Sequence, residues 1–208
     1  MRKRQKKMEN QEYPDKWQLP HHYVCQLCAE AGMVWFGFSL IMTVVSMIQL
    51  FRLPAGEIVL ENTGYAYEFA SMGGIVRCGM QYLPMYGEIV SNKAFCEAFL
   101  GLSILVRDIP YLVLLAYLAK LLKTIRSSHS PFVAKTTKYA RRAGILMVLM
   151  GFLQKLVMQT GMAAIAYHTF YMNNPFVPQW ILAGVIVLLM SDIFERGCEL
   201  QQFSDETL

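Results

Sequence analysis

The sequence predicts an all-α, polytopic membrane protein with four transmembrane helices and a structured outer loop between helices 1 and 2. Of its 208 residues, 55% are hydrophobic and only 16% are charged, which is more apolar than an ordinary soluble domain. The apolar residues cluster in four blocks, each close to the ~20 residues that cross hydrocarbon as a helix. Lysine and arginine are concentrated in alternate connecting segments. These three observations favour four spans in one membrane domain.

The chain divides into a basic N-terminal segment, residues 1–30, and a membrane domain, residues 31–208, which we interpret as a four-helix bundle. A signal peptide is the alternative for the basic start, but the first apolar block begins only after about thirty residues and lacks a small-residue cleavage site. The elements predicted within the membrane domain are spans over about 31–52, 97–120, 143–168 and 178–196, an outer loop over 53–96 and a cytoplasmic loop over 121–142.

The distribution of lysine and arginine predicts the orientation of the chain. Six of them precede residue 31 and seven lie between residues 120 and 142, whereas three lie between the first two spans and none between the last two. Because positively charged loops stay in the cytoplasm, both termini and the 121–142 loop are placed there. The net charge of +4 therefore reflects topology, and no direct binding of nucleic acid is expected. Trp180 then falls at the outer interface, where amphipathic rings are common.

The outer loop is long and combines glycines and prolines with aromatic residues. This composition favours an ordered loop with one or two short helices that caps the bundle; the alternative is a lid or a ligand-contacting surface. Cys78 and Cys96 lie in this loop, where oxidation is permitted. A disulfide between them would stabilise the fold by about 3 kcal/mol. A bridge and two free thiols both remain open.

Ionisable residues inside the predicted spans are the sharpest chemical feature. Arg107 and Asp108 lie near the middle of the second span, where each ionised side chain costs at least a few kcal/mol. Adjacent residues of a helix point about 100° apart, so these two cannot pair ideally with each other. Lys155 lies at the same depth in the third span, which predicts an Asp108–Lys155 ion pair with Gln159 near Arg107. The predicted intramembrane polar cluster comprises Arg107, Asp108, Gln154, Lys155, Gln159 and Asp192.

The cluster has two interpretations. It is either a buried clamp that fixes the register of the helices, or a polar cavity for an ion, a proton or a small solute. The chain has no repeat or pair of broken helices typical of transporters, which favours the clamp. Asp192 lies nearer the cytoplasmic side, where it could pair with Arg196 or balance the charge of Arg107.

The remaining chemistry-bearing residues give weaker signals. His21, Cys25 and Cys28 would share one helix face, which suits a metal site, but one CxxC without a second pair is more simply explained by free cysteines. No metal or other cofactor is therefore expected. The sequence has no glycine-rich phosphate loop, nucleophile elbow or HExxH motif, so no catalytic residue is assigned and the protein is not expected to be an enzyme.

The cytoplasmic face resembles a known family. The stretches SPFVAKTTKYARRAGILMVLMG and SDIFERGCELQQFSDETL resemble the small four-span bacterial membrane proteins of the domain-of-unknown-function family numbered 2975. The matching positions are Pro131, Phe132, Arg141, Arg142, Gly144, Phe194, Gly197, Leu200, Asp205 and Thr207. Gln154, Lys155 and the large outer loop depart from the family pattern. The resemblance implies a bacterial cytoplasmic (inner) membrane protein of unassigned biochemistry with a cytoplasmic partner, a small helix-turn-helix regulator.

Three functions are compatible with these features. The first is a non-catalytic sensor or regulator in the lipid bilayer, monomeric or homo-oligomeric, that acts through a cytoplasmic partner. The second is a small transporter or channel subunit that uses the midplane charges. The third is a thiol oxidoreductase of the four-span kind, although such enzymes place a CxxC on the oxidising side, whereas the charge distribution places Cys25 and Cys28 inside. The predicted partner surface comprises Lys135, Lys138, Arg141, Arg142, Phe194, Gly197 and Leu200.

Overall fold

The structure is a computed structural model that describes residues 20–71, 74–83, 88–128, 133–169 and 174–207, without the side chains of residues 20–22, 128, 201–202 and 204–207. Most of the predicted 1–30 segment and several positions of the family resemblance therefore lie outside the described residues. The helices are α1 (Pro20–Arg52), α2 (Asn92–Ser103), α3 (Ile109–Ser128), α4 (Ala134–Met162) and α5 (Pro178–Thr207). Three strands lie between α1 and α2: β1 (Leu60–Asn62), β2 (Ala66–Ser71) and β3 (Gly74–Gly79).

Among the described residues, three helical stretches are long and apolar enough to cross a membrane: Tyr23–Arg52, Asn92–Ser127, which joins α2 and α3, and Ala134–Tyr167. The first of them packs least against the rest of the protein, because only 6% of its most apolar window is buried and large side chains such as Trp35 and Phe38 face outward. Apolar faces of this size need an apolar surrounding, which a bilayer supplies. The mostly helical structure is therefore compatible with insertion in a membrane.

Several helices extend beyond the predicted spans. α1 begins at Pro20, so the helix includes Cys25 and Cys28, which precede the predicted span. Polar residues continue the helix there, and Gln26 Nε2 donates to Glu30 Oε1 at 2.8 Å, four residues on. Hydropathy marks the part of a helix that suits lipid, whereas the helix itself ends where backbone hydrogen bonding ends.

The segment between α1 and α2 contains an antiparallel sheet in the order β1-β2-β3. The prediction of an all-α fold with only short helices in this loop is corrected here, because the loop holds these strands as well as short 3-10 helices at Ala55–Glu57 and Met80–Tyr82. Gly64 turns the chain from β1 to β2 with φ of 82°, which glycine adopts without strain. Its amide donates to Asn62 Oδ1 at 2.9 Å, which stabilises the turn.

We call residues 53–91 the cap, because they cover the adjacent ends of α1, α2 and α4. The amide of Val90 donates to the carbonyl of Ala166 at 2.9 Å, and Lys93 Nζ at the start of α2 donates to the carbonyl of Leu53 at 2.9 Å. Apolar burial is concentrated at this junction. The most deeply buried hydrophobic side chains there are Leu50, Phe69, Cys78, Phe95, Cys96 and Met162.

The long helices pack mainly in chain order, α1 with α3, α3 with α4, and α4 with α5. The α4–α5 contact is the closest of these. A Cβ on Gly184 would lie 2.8 Å from both the carbonyl oxygen of Gly144 and the amide nitrogen of Val148. A Cβ on Gly151 would lie 2.9 Å from the amide nitrogen of Ile181. Glycine permits this approach of two backbones, as in other membrane helix pairs with small residues at the interface.

Candidate functional site

A π-helical turn, Ile104–Asp108, joins α2 to α3 without interrupting the helical path. Pro110 accounts for it, since proline has no amide hydrogen and its ring clashes with the carbonyl one turn earlier in a regular helix. The chain widens just before this position, and the amide that follows the turn bonds five residues back. Such turns often occur at functional sites. This one carries Arg107 and Asp108.

Arg107 pairs with its neighbour Asp108. The Arg107 Nε donates to Asp108 Oδ1 at 2.8 Å. The prediction that adjacent residues could not pair well, and that Asp108 would pair with Lys155, was therefore wrong. A π turn holds more residues than an α turn, so neighbouring side chains point in closer directions. Lys155 is half-buried and forms no ion pair with any residue that the structure describes.

The two partners differ in exposure. Asp108 is 1% exposed, whereas the Arg107 side chain is 41% exposed. Asp108 Oδ2 has no hydrogen-bond partner among the described residues. A carboxylate buried to this degree is strongly unfavourable unless a cation compensates it, and Arg107 supplies that cation. This hydrogen bond uses the Nε edge of the guanidinium, so Asp108 does not engage the two Nη groups.

Lys155 nevertheless lies at the depth that the sequence predicted. A Cβ on Gly161 would lie 2.6 Å from Leu102 Cδ1, so α2 and α4 touch at these residues. The helices are antiparallel, and Asp108 and Lys155 are each six residues from that contact in the same direction along the axis. Equal steps along α-helices give nearly equal rises. The charges thus share a level without forming the predicted pair.

The other predicted members of the polar cluster are spread over the molecule. Gln159 is fully buried, and its Nε2 donates to the carbonyl of Gln81 in the cap at 3.1 Å. The predicted contact with Arg107 is corrected accordingly. Gln154 is buried in α4, whereas Asp192 is exposed on α5 toward the end opposite the cap.

An aromatic cluster is centred on Tyr111, which follows Arg107 by four residues. Tyr111 stacks on Phe36 of α1 with centroids 5.1 Å apart and meets Trp180 of α5 edge-on at 5.3 Å. Trp180 lies beside Tyr111, and its predicted place at the outer interface stays a prediction. Tyr82 and Arg107 both interact electrostatically with the Tyr111 hydroxyl. Tyr111 could have been found from its position four residues after Arg107. We call Phe36, Tyr82, Arg107, Tyr111 and Trp180 the Arg107 cleft.

No protein-family profile, curated protein or solved structure matches this chain. The resemblance to the bacterial four-span family thus stays a prediction. Among its motif positions, Gly144 has a packing explanation, because it lies against Leu188 and Gly184 of α5. Arg141 and Arg142 are exposed, so packing does not explain them. The functional argument below is built from the geometry of this chain.

Cys78 on β3 and Cys96 on α2 are buried free thiols. Burial raises the pKa of the Cys78 thiol far above its usual range, and the neighbouring Cys96 thiol raises it further. Both side chains belong to the same buried core at the cap. The disulfide between them is not formed in this structure and stays a prediction.

We expect Cys78 to resist alkylation in the folded protein, whereas exposed Cys25 reacts. The thiolate is the nucleophile, and burial disfavours the thiolate of Cys78, so Cys78 should stay largely unmodified between pH about 7 and about 9. Iodoacetamide labelling followed by peptide mass spectrometry measures both. In denatured, unreduced protein Cys78 should react if it is free and stay unlabelled if it is bridged. Equal labelling rates for the two cysteines in the folded state would contradict the expectation.

The weak metal candidate at the start of α1 is not assembled by the described residues. Cys25 and Cys28 are both exposed, and the side chain of His21 lies outside the described part of the chain. Within that described part, no group of three or more His, Cys, Asp or Glu side chains could hold a metal ion.

The predicted partner surface lies at the end of the molecule opposite the cap. Its four basic residues, Lys135, Lys138, Arg141 and Arg142, are all exposed near the start of α4. On α5, Leu200 is 70% exposed, whereas Phe194 and Gly197 are half-buried. Nearby, the Arg126 guanidinium lies 4.5 Å from the centre of the Tyr23 ring, which ties α3 to α1. The basic residues and Leu200 thus present an open surface at this end.

Proposed function

We propose that this chain is a non-catalytic sensor or regulator of the bacterial cytoplasmic membrane that acts on a cytoplasmic partner. Four spans, with both termini in the cytoplasm and the cap outside, agree with the distribution of lysine and arginine. α5 would be the fourth helix in the membrane: it has 30 residues, its exposed apolar side chains such as Leu182, Ile186 and Leu189 suit lipid, and it begins beside Gly151, part-way along α4. The cap is the input side in this proposal, and the partner surface is the output side.

The observation that carries the proposal is the path of α4. One helix starts among the exposed basic residues and reaches the cap, where Gln159 donates to the carbonyl of Gln81 and Ala166 accepts from the amide of Val90. A ligand that shifts the cap therefore acts on the same helix that carries the partner surface. A sensor needs such a link, since an input can shift an output only through contacts that differ between two states.

The partner is inferred to be acidic where it touches α4. Arg141 and Arg142 are exposed and form no ion pair with any described residue, so their charges are available to a partner. Complementary charge speeds association and suppresses wrong partners. The resemblance adds the class of partner, a small helix-turn-helix regulator.

We expect the paired change Arg141→Glu and Arg142→Glu to abolish co-purification of a cytoplasmic partner from native membranes after cross-linking. The matched control is Lys120→Glu with Lys123→Glu, which makes the same change of charge at exposed positions of α3. Both pairs alter positive-inside charge equally, so an effect on topology alone would appear in both. Loss of the partner only in the α4 pair supports the proposal. Recovery of the same partner from both variants, or of none from the native protein, argues against it.

The two alternatives have less support. A transporter cavity was inferred from a shared site for Asp108 and Lys155, and these residues do not pair. A thiol oxidoreductase needs a reactive pair on the oxidising side, and exposed Cys25 and Cys28 lie at the end opposite the cap. Both remain hypotheses.

A further inference from the structure

Helix α5 begins part-way along α4. The amide of Val177, just before α5, donates to the carbonyl of Gly151 at 2.8 Å, and Ile181 packs on Gly151. From Gly151 the helical path of α4 continues for sixteen residues to Tyr167, which is about 24 Å at 1.5 Å per residue. Over that length α5 is not a neighbour of α4. The start of α5 therefore lies at an internal level of the helices and not at their end.

The Arg107 cleft lies at this internal level. Tyr111 is in contact with α1 through Phe36 and with the first turn of α5 through Trp180. These three rings form an aromatic floor between the two outer helices. Arg107 precedes Tyr111 by four residues, about one helical turn, and interacts electrostatically with its hydroxyl, as does Tyr82 of the cap. The cleft is thus bounded by α1, α3, α5 and the cap.

The guanidinium of Arg107 has N–H donors that form no hydrogen bond to a described residue. Its one hydrogen bond to a described residue uses Nε, which leaves the four N–H groups of Nη1 and Nη2. At membrane depth lipid tails cannot accept these bonds, and an unsatisfied polar group there is costly. Asp108 holds the Nε edge from a position that is 1% exposed, whereas the Arg107 side chain is 41% exposed, so the guanidinium is accessible to a ligand. A planar ligand with two acceptor oxygens fits this fork.

The charged side chains at this level carry a net positive charge, which favours binding of an anion. Arg107 and Lys155 are basic residues at one level of the helices, and Asp108 pairs with Arg107, so these three side chains together have a formal charge of +1. The nearby start of α5 adds the positive end of a helix dipole. One monovalent anionic group would balance the site.

We propose that the Arg107 cleft binds the carboxylate of an organic acid with an apolar body. The carboxylate pairs with the Nη groups of Arg107, and the apolar body lies on the rings of Tyr111 and Trp180. Exposed apolar side chains continue on both flanks, with Val34 on α1 and Val185 on α5, so an alkyl chain has a surface to follow. This inference rests on the proposed membrane insertion but not on a cytoplasmic partner.

Octanoate is the probe, with octanol and acetate as controls for charge and for the apolar body. Calorimetric titration of the detergent-solubilised full chain should show binding of octanoate, at least about 10-fold weaker binding of acetate, and no competition by octanol. Arg107→Gln should weaken octanoate binding by about 10-fold or more, because hydrogen bonds to charged groups are strong. Lys123→Gln removes an exposed cation far from the cleft and should leave the affinity unchanged. Equal weakening by both variants, or competition by octanol, overturns the proposal.

A second measurement needs no variant, in case Arg107→Gln does not fold. A diazirine-bearing alkyl carboxylate should cross-link the wild-type protein at Tyr111 or Trp180, and octanoate should prevent it. Cross-links elsewhere, or no protection, overturn the proposal. If octanoate dissolved in the buffer prevents cross-linking, the ligand can enter from solution. If only palmitate carried in nanodiscs prevents it, the ligand enters from the bilayer. Partner co-purification is measured separately, so the binding site and the proposed regulatory role can fail independently.

Discussion

Replacing Arg107 by methionine should destabilise the protein more than any other single change at the candidate site. Asp108 would keep its buried carboxylate and lose the guanidinium bonded to it at 2.8 Å. Breaking a buried ion pair from one side typically costs 3–5 kcal/mol; because Arg107 itself is partly exposed, we expect about 3 kcal/mol here. Thermal unfolding in detergent, followed by circular dichroism, would show this as a lower Tm.

The double variant Arg107→Met with Asp108→Asn is the matched control. It removes both charges and keeps the shape of the Asp108 side chain, so most of the lost stability should return. If the double variant is as unstable as the single one, the ion pair does not explain the effect. An unchanged Tm in Arg107→Met would show that Asp108 does not depend on this partner.

Replacing Gly184 by alanine should separate α4 from α5. The added Cβ would lie 2.8 Å from two backbone atoms of α4, the Gly144 oxygen and the Val148 nitrogen, which cannot rotate away as a side chain could. Overpacking of this kind costs about 1–3 kcal/mol, and at about 2–4 °C per kcal/mol the Tm should fall by several degrees.

Gly37→Ala is the control for the intrinsic helix preference of alanine. Gly37 lies in α1, and a Cβ there would meet nothing within 4 Å. Alanine favours the helix over glycine by about 1 kcal/mol, so the Tm should stay or rise. A fall of equal size in both variants would mean that the close approach of α4 and α5 is not the cause.

The apolar helices could be predicted because hydropathy is a local property of the chain. Runs of leucine, isoleucine and valine identified the long helices without reference to any contact. The ends of the helices were less predictable. Hydropathy placed Cys25 and Cys28 before the first span, and α1 includes both because it already begins at Pro20.

The sheet in the cap could not be predicted in the same way. Its strands have three to six residues, and their identity depends on pairs such as Tyr67 with Cys78, eleven positions apart. Short strands become stable when partners cover their hydrogen-bonding edges. Composition showed an ordered loop, but the pairing that makes it a sheet is a property of the folded chain.

The candidate site shows where sequence reasoning reaches its limit. The unusual charges of Arg107 and Asp108, and the depth they share with Lys155, follow from counting residues along helices. Their pairing does not, because it depends on the π turn before Pro110. The aromatic floor was missed for a similar reason: Phe36, Tyr111 and Trp180 come from three helices, and hydropathy carries no information on which rings meet.

The sequence by itself determined that this is a mostly helical protein with helices apolar enough for a membrane, which residues suit lipid and which charges need compensation, since each of these depends on the transfer energy of individual side chains. Tertiary structure alone decided how those charges are compensated. The backbone contact at Gly151 sets α5 at an internal level of α4, and that placement brings Trp180 to Tyr111 beside Arg107. Such positions depend on how the side chains of different helices fit together, and those side chains lie far apart in the sequence.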